Sequence, residues 1–384
     1  MSDLSEPWLL PIDERRSELP SGIWPAQRIK AATGAHGMIQ AEEPVTAAQI
    51  QPASLDLRLG SVAYRVPASF LPGPSKTVKD KIELLAQERL DIESGAVLRK
   101  GEVYIVPLQE SLRLKKRTSG FTNPKSSTGR LDVFARVITD RGTEFDAIPE
   151  RYVGPLWLEV APRSFNVRVR RGSRLAQVRL RRGSPPSNDT FARRLIEAVG
   201  VIRADEGAVN IKDGAIALSV DMEGDPVSGV IGYKAKKTSE CIDVDKVNYY
   251  DPDIFWERVH RPDGGRGIIL KTDDFHILAT KEMVAVPDDF AADMVAYDTL
   301  VGEMRVHYAG FFDPGFGCDE SGAYGTKIVL EVRSHEVPFM VEHGQIVGRV
   351  ILERLTERTE KPYGAGIGSS YQRQGLTLSK QFKR

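Results

Sequence analysis

The chain of 384 residues has only two cysteines, Cys241 and Cys318, too few and too far apart for a disulfide framework or a Cys-rich zinc site. It has no uncharged apolar run of membrane-spanning length. Its opening, MSDLSEPWLLPIDERRSELP, lacks the basic and then apolar pattern of a secretory leader. A soluble, reduced, cytoplasmic setting with no membrane association is the expectation. An excess of one charge is also missing: Lys plus Arg and Asp plus Glu are both 53. The overall field therefore favours neither nucleic acid nor an anionic surface, although a local patch stays open. The six histidines, at 36, 260, 276, 307, 335 and 343, show no metal-ligand spacing and read as structural.

A chain of this length with 41% hydrophobic residues can build two or three compact cores. The middle of each half carries short Val-, Ile- and Leu-rich segments broken at close intervals by Gly, Pro, Asp and Asn, the rhythm of β-barrels or sandwiches. Val97 to Leu108 reads as strand, turn and strand, and Asn166 to Val169 alternates into another. Helical patterns are few: Ala26 to Ala32, a segment near Thr190 to Val199, and Asp288 to Ala296 after the start signal of Pro287. The expected class is mainly β with few short helices.

The strongest internal feature is self-similarity. Leu98-Arg99-Lys100 matches Leu270-Lys271-Thr272, Glu110 matches Glu282, Leu158-Glu159 matches Leu330-Glu331, and Gly172 matches Gly344, all 172 positions apart. Ser54-Leu55-Asp56 matches Ser219-Val220-Asp221 at 165, so one early indel explains both spacings. The polar run Arg181 to Asp189 then reads as the join. The expected division is 1–183 for the first copy, 184–200 for linker and helix, and 201–384 for the second copy.

Three segments carry chemistry. Pro124-Lys125-Ser126-Ser127-Thr128-Gly129-Arg130 supplies hydroxyl donors, backbone N–H groups and a guanidinium fork, the parts of an anion cradle. The plainer alternative is a solvated polar turn, and the Walker spacing is absent. Gly310 to Gly317 puts a tight Asp313-Pro314-Gly315 turn between two apolar strands, where main-chain groups at a hairpin tip would read a flat base. Glu331 follows within Ile328-Val329-Leu330-Glu331-Val332. Facing a barrel interior, its pKa would rise towards the range useful for proton transfer, although a lone strand Glu more commonly faces water. Pro362 to Gly375 has glycines at 364, 366, 368 and 375, together with Tyr363, Tyr371, Arg373 and Gln374, and reads either as a closing lid or as a loose tail.

Taken in order, Gln51-Pro52-Ala53-Ser54-Leu55-Asp56-Leu57-Arg58-Leu59-Gly60, the Lys-Ser-Ser-x-x-Arg cradle, Asp313-Pro314-Gly315 with the Val-Leu-Glu strand, and Pro362-Tyr363-Gly364 to Tyr371-Gln372-x-Gln374 resemble the dCTP deaminase family. With the duplication the likeness covers nearly the whole chain except the N-terminal stretch and the join. It implies two tandem distorted jelly-roll β-barrels of the dUTP pyrophosphatase type and hydrolytic loss of the 4-amino group of dCTP, giving dUTP and ammonia. By resemblance Glu331 would be the general base, with Glu159 the weaker candidate. Lys125, Ser126, Ser127 and Arg130 would hold phosphates or orient water. Ala309, Asp313, Val329 and Leu330 would line the base, and Tyr363, Tyr371 and Gln374 would close over the triphosphate. Mg2+ would ride on the phosphates. No zinc is expected, in keeping with the missing His-x-Glu and Pro-Cys-x-x-Cys signature of zinc deaminases.

The chain departs from that pattern in instructive places. Lys125 stands where the family usually has Arg, keeping charge but losing a planar fork, and Ser370 stands where the lid commonly has a lysine. The second copy carries Asp298, Thr299 and Gly302 where the first has Ser126, Ser127 and Arg130, and the first carries Arg141 and Val137 where the second has Asp313 and Ala309. Each copy keeps what the other lost. One composite site per chain is expected, with the cradle from the first barrel and the turn, Glu331 and lid from the second.

Two rivals stay open. Asp313 could activate water towards the α-phosphate, making a hydrolase or a bifunctional enzyme that carries dCTP through dUTP to dUMP. Alternatively, the eight arginines and no acids between Arg163 and Arg182 could serve a non-catalytic nucleotide sensor or a nucleic-acid binder, though interleaved aromatics are absent. Whether the chain forms a homo-oligomer, and whether dTTP feeds back on it, are not fixed by sequence.

Overall fold

The computed structural model describes residues 20–184, 188–203, 209–262, 264, 267–295, 304–306, 310–319, 322–334, 336–364 and 375–384. Both halves follow one plan. In the N-terminal half one sheet runs Glu88–Asp91, Val62–Val66, Val103–Arg113, Val153–Pro162, Val133–Thr139, and a second runs Gly22–Ile23, Ala176–Arg182, Thr118–Pro124, Ala147–Ile148. The C-terminal half repeats this with Trp256–His260, Val230–Ala235, Phe275–Val284, Thr326–Ser334, Met304–Val306 in one sheet, and Ile211–Lys212, Ala215–Ser219, Ile346–Arg354, Phe290–Val295, Phe311–Phe312 in the other. The repeat seen in the sequence is a repeat of register, because Glu159 lies opposite Ile105 while Glu331 lies opposite Ile277. The architecture is mainly β, two tandem barrels with few short helices, as the pattern of broken aliphatic runs predicts.

The helices Ala26–Ala31 and Asp189–Val199 stand where expected. The second is capped by the Asn188 side chain, which accepts from Phe191 N at 2.9 Å, and ends on left-handed Gly200. The expected helix over Asp288 to Ala296 is instead the strand Phe290–Val295, paired along its length with Ile346–Arg354. Pro287 and two aspartates imitate a helix start, but two flanking strands supply the backbone partners and decide the outcome. A helix over Val78–Leu85 went unread.

The halves share their interior. Ile242, Phe255, Trp256, Phe275, Ile277, Val329 and Phe382 of the C-terminal half belong to the same buried cluster as the N-terminal core. Strand Cys241–Asp243 joins Asn166–Val169 in parallel and so extends a sheet of the other half. The segment 375–384 also returns to the N-terminal barrel, where Ser379 Oγ donates to Ser127 O at 2.7 Å, while Gln381 Nε2 donates to Val244 O of its own half at 2.7 Å.

Candidate active site

The cradle is placed by the strand Thr118–Pro124, which runs into a single helical turn, Ser126–Gly129, with Lys125 before it and Arg130 closing it. Lys125 Nζ pairs with the buried carboxylate of Asp56, and Arg174 Nη1 lies 3.5 Å from the same carboxylate. Arg130 is buried and donates to Thr377 O at 3.0 Å. Nothing in the residue pattern marks Thr377, Ser379 or Lys380 as part of this site. Burial and the nearby Lys125 and Arg174 push the Lys380 ammonium down, so a third cation belongs to this basic group.

The opposite wall comes from the strand Thr326–Ser334. Alternation sends Ile328, Leu330 and Val332 into the core of the C-terminal half, and Val329 into the cluster of the N-terminal half. Glu331 and Arg333 share the face of Val329 and so point across the junction. The Glu331 carboxylate lies 3.8 Å from Arg130 Nε, with both side chains buried. Burial pushes its pKa up to about 8, against the opposing pull of Arg130. The solvated alternative for this carboxylate is therefore set aside. Gly310 closes the same corner: a Cβ there would lie 3.8 Å from Ser126 Oγ.

Glu159, the register partner of Glu331, has a different fate. It is buried and paired with Arg136, whose Nε lies 3.1 Å from Oε1. That guanidinium also stacks 3.9 Å from the Phe145 ring centroid. Glu159 is thus engaged in an ion pair within its own half.

The Asp313-Pro314-Gly315 turn is not a hairpin tip, because the strands on either side have different partners. Phe311–Phe312 pairs with Phe290–Val295, and Cys318–Asp319 pairs with Gly322–Ala323. In the N-terminal half the matching edge is taken by Ala147–Ile148. The 172-residue repeat would carry Ile148 to position 320, yet Phe312 stands opposite Ala292. The two copies have therefore rebuilt this segment differently. Asp313 is buried and bonded to Arg179 Nη2 at 3.2 Å, and burial pushes its carboxyl up while Arg179 opposes the shift. Arg179 reaches from the N-terminal half, fully buried, and also donates to Ala292 O, Asp293 Oδ1 and Phe312 O at 2.9, 2.7 and 2.9 Å. Its guanidinium lies 4.2 Å from the Phe311 centroid. An arginine alternating with Val178 and Leu180 inside a strand was the available signal for this clamp. Tyr363 leans on the same turn, its N–H donating to Pro314 O at 2.7 Å and its ring 5.9 Å from Phe316. Ala309, Tyr371 and Gln374 lie outside the described residues.

The arginine-rich stretch is largely neutralised where it stands. Arg170 pairs with Asp243 and Asp245, Arg171 with Glu42 and Glu43, Arg179 with Asp293 and Asp313, and Arg181 with Glu353. Among the described residues no group of three or more His, Cys, Asp or Glu side chains could hold a metal ion, and no helix is long and apolar enough to cross a membrane.

Residues 20–184 match the family model for the 2'-deoxycytidine 5'-triphosphate deaminase N-terminal domain, and residues 188–382 match that for the C-terminal domain. The structure is similar to the crystal structure of 2'-deoxycytidine 5'-triphosphate deaminase from Agrobacterium tumefaciens, with a TM-score of 0.82 and 49% identity, covering 87% of this chain and 99% of that one. A protein from Streptomyces coelicolor named "dCTP deaminase, dUMP-forming" is 35% identical over 130 residues, which is 33% of this chain and 64% of that protein. One of the same name from Mycobacterium avium is 33% identical over 127 residues, 32% of this chain and 63% of its own length. The chain thus spans just under two thirds of these curated relatives. With both halves matched in order, the chain belongs to the 2'-deoxycytidine 5'-triphosphate deaminase family.

Proposed function

We propose that this chain deaminates dCTP hydrolytically at one composite site, with Glu331 as the general base and the Lys125 to Arg130 turn as the phosphate cradle. The observation that carries this reading is the 3.8 Å approach of Arg130 and Glu331 across the junction of the halves, with both side chains buried. A carboxylate pushed up to about 8 takes a proton from water and returns it at comparable cost, which suits both steps. Water adds to C4 of the cytosine as Glu331 accepts its proton. That proton moves on to N3; the new C4 hydroxyl then gives up its own proton through Glu331 to the exocyclic nitrogen as it becomes the carbonyl, the C4–N bond breaks, and ammonia leaves a uracil ring. Ser126, which faces Gly310, would orient the water, while Lys125, Ser127 and Arg130 would take the phosphates.

Mg2+ would arrive on the triphosphate, with phosphate oxygens and water filling most of its shell. The carboxylates beside the cradle fit that arrangement, since Asp56 is engaged by Lys125 and Arg174, and Asp313 by Arg179. Separate Glu331→Gln and Glu159→Gln proteins test the assignment. Deamination is expected to vanish in the first and survive in the second, and full activity of Glu331→Gln would end it.

A second reading concerns the product. The names of the relatives from Streptomyces coelicolor and Mycobacterium avium favour an enzyme that continues to dUMP over one that stops at dUTP. Incubation with dCTP, with dUTP, dUMP and pyrophosphate resolved over time, separates the two. Release of dUMP and pyrophosphate supports the longer sequence, and dUTP accumulating alone excludes it.

A further inference from the structure

A carboxylate that is to accept a proton from water must keep its lone pairs open, yet stay fixed to within a fraction of an ångström. The Arg130 contact does not supply that fixing, because 3.8 Å is beyond hydrogen-bond reach. The restraint comes from the next pair along. Arg333, on the same strand face as Glu331, reaches Asp132, which follows Arg130 on the cradle side. Its Nε lies 3.3 Å from Asp132 Oδ1, and its Nη2 donates to Oδ2, a two-pronged guanidinium–carboxylate contact. Ser164 Oγ donates to Asp132 Oδ2 at 2.6 Å and lies 3.3 Å from Arg333 Nη2, while Arg333 Nη1 donates to Asp273 O. Both ions are almost wholly buried. Asp132 itself is held in the left-handed region at φ 58, with its N–H donating to Gly129 O at 2.8 Å.

The charges alternate across the junction: Arg130 faces Glu331, and Asp132 faces Arg333. The 172-residue repeat places Met304 opposite in role to Asp132, and Ala161 to Arg333. With methionine and alanine at the equivalent positions, the sequence offers no matching fork for Glu159.

We propose that Asp132 and Arg333 are positioning residues that lock the Thr326–Ser334 strand against the cradle turn and so hold Glu331 at its working distance from Arg130 and the attacking water. This rests on Glu331 being the base. The fork carries the mechanical load, so the Glu331 carboxylate is held without a guanidinium in hydrogen-bond contact with it.

The test uses the full chain. Asn tolerates the left-handed backbone, so Asp132→Asn removes the charge while keeping the shape. The double variant Asp132→Asn/Arg333→Gln removes both charges and avoids stranding a buried ion. For each, kcat and KM for dCTP, the pH profile of kcat/KM, and the melting temperature are measured. A fall in kcat of about ten-fold or more, with KM within about two-fold and the acid limb of the profile moved to higher pH, supports positioning. The limb moves because a drifting Glu331 loses the cation that restrains its pKa. A lower melting temperature with kcat and the pH limb unchanged overturns the proposal, and so does a rise in KM with kcat intact. Failure of either variant to fold leaves the decision to the other and to Arg333→Lys, which keeps the charge and should recover part of kcat. An active Glu331→Gln protein would sink the base assignment itself. An inactive one beside an unshifted Asp132→Asn profile sinks the positioning role alone.

Discussion

With Glu331 as the proposed base, catalysis and stability should depend on pH in opposite senses. The form that can accept a proton is the ionised one, and its pKa is pushed up to about 8, so kcat/KM for dCTP should rise as pH climbs through that value. Replacing Arg130 by Met should carry the limb higher still. Folding responds the other way. A carboxyl whose folded pKa lies above its ordinary value of 4.5 binds its proton more tightly when folded. Its contribution is thus fully present below 4.5 and is lost as pH rises through about 8. The urea midpoint of Glu331→Gln, compared with wild type, should show a gap that widens from pH 5 to pH 8. A gap independent of pH would contradict the buried, elevated carboxyl. Arg179 makes a second residue-level prediction. Replacement by Met would strand Asp293, itself pushed up to about 6 by burial, and Asp313 without their cation. The expected loss is about 3–5 kcal/mol in chemical denaturation, larger near pH 8 than near pH 5, where the aspartates take up protons.

Among the elements, Val78–Leu85 offers a clean measurement. Thr77 accepts from Asp80 N at 3.1 Å, and Asp80 accepts from Thr77 N at 2.8 Å, a reciprocal capping box on an exposed helix start. Thr77→Ala should cost about 1 kcal/mol and leave deamination unchanged. That helix is hard to read from sequence although Thr-x-x-Asp is present, because Lys79, Asp80, Lys81 and Glu83 leave only Val78 and Ile82 to bury. Phe290–Val295 was misread for the converse reason, a start signal without the neighbours that determine pairing. The Lys125–Arg130 turn and the Glu331 strand can be singled out from sequence because their residue types suggest a chemistry at short range. Arg179, Asp132 and Arg333 cannot, because each acquires its meaning from a partner more than a hundred positions away. Arg136 lies only 23 positions from Glu159, yet their ion pair depends on the pairing of two strands that the sequence does not announce.

At the scale of the whole molecule, the proposed cradle and the proposed base belong to one chain, and Arg130 and Glu331 meet without a second copy. Mixing an Arg130→Ala protein with a Glu331→Gln protein should therefore restore no deamination at any ratio. Recovery towards a quarter or more of wild-type activity would mean that sites form between chains. The shared cluster running from Leu55 through Trp256 to Phe382 also predicts a single cooperative melting transition rather than two.

The interleaving of the halves bears on what happens when the backbone is severed. Strand Cys241–Asp243 is stitched into a sheet of the first barrel, and the last residues wrap back over the turn that precedes Arg130. A protease nick between Gly183 and Asn188 would consequently yield two fragments on a denaturing gel that still travel as one particle through a sizing column, the covalent link being the least of what keeps them together.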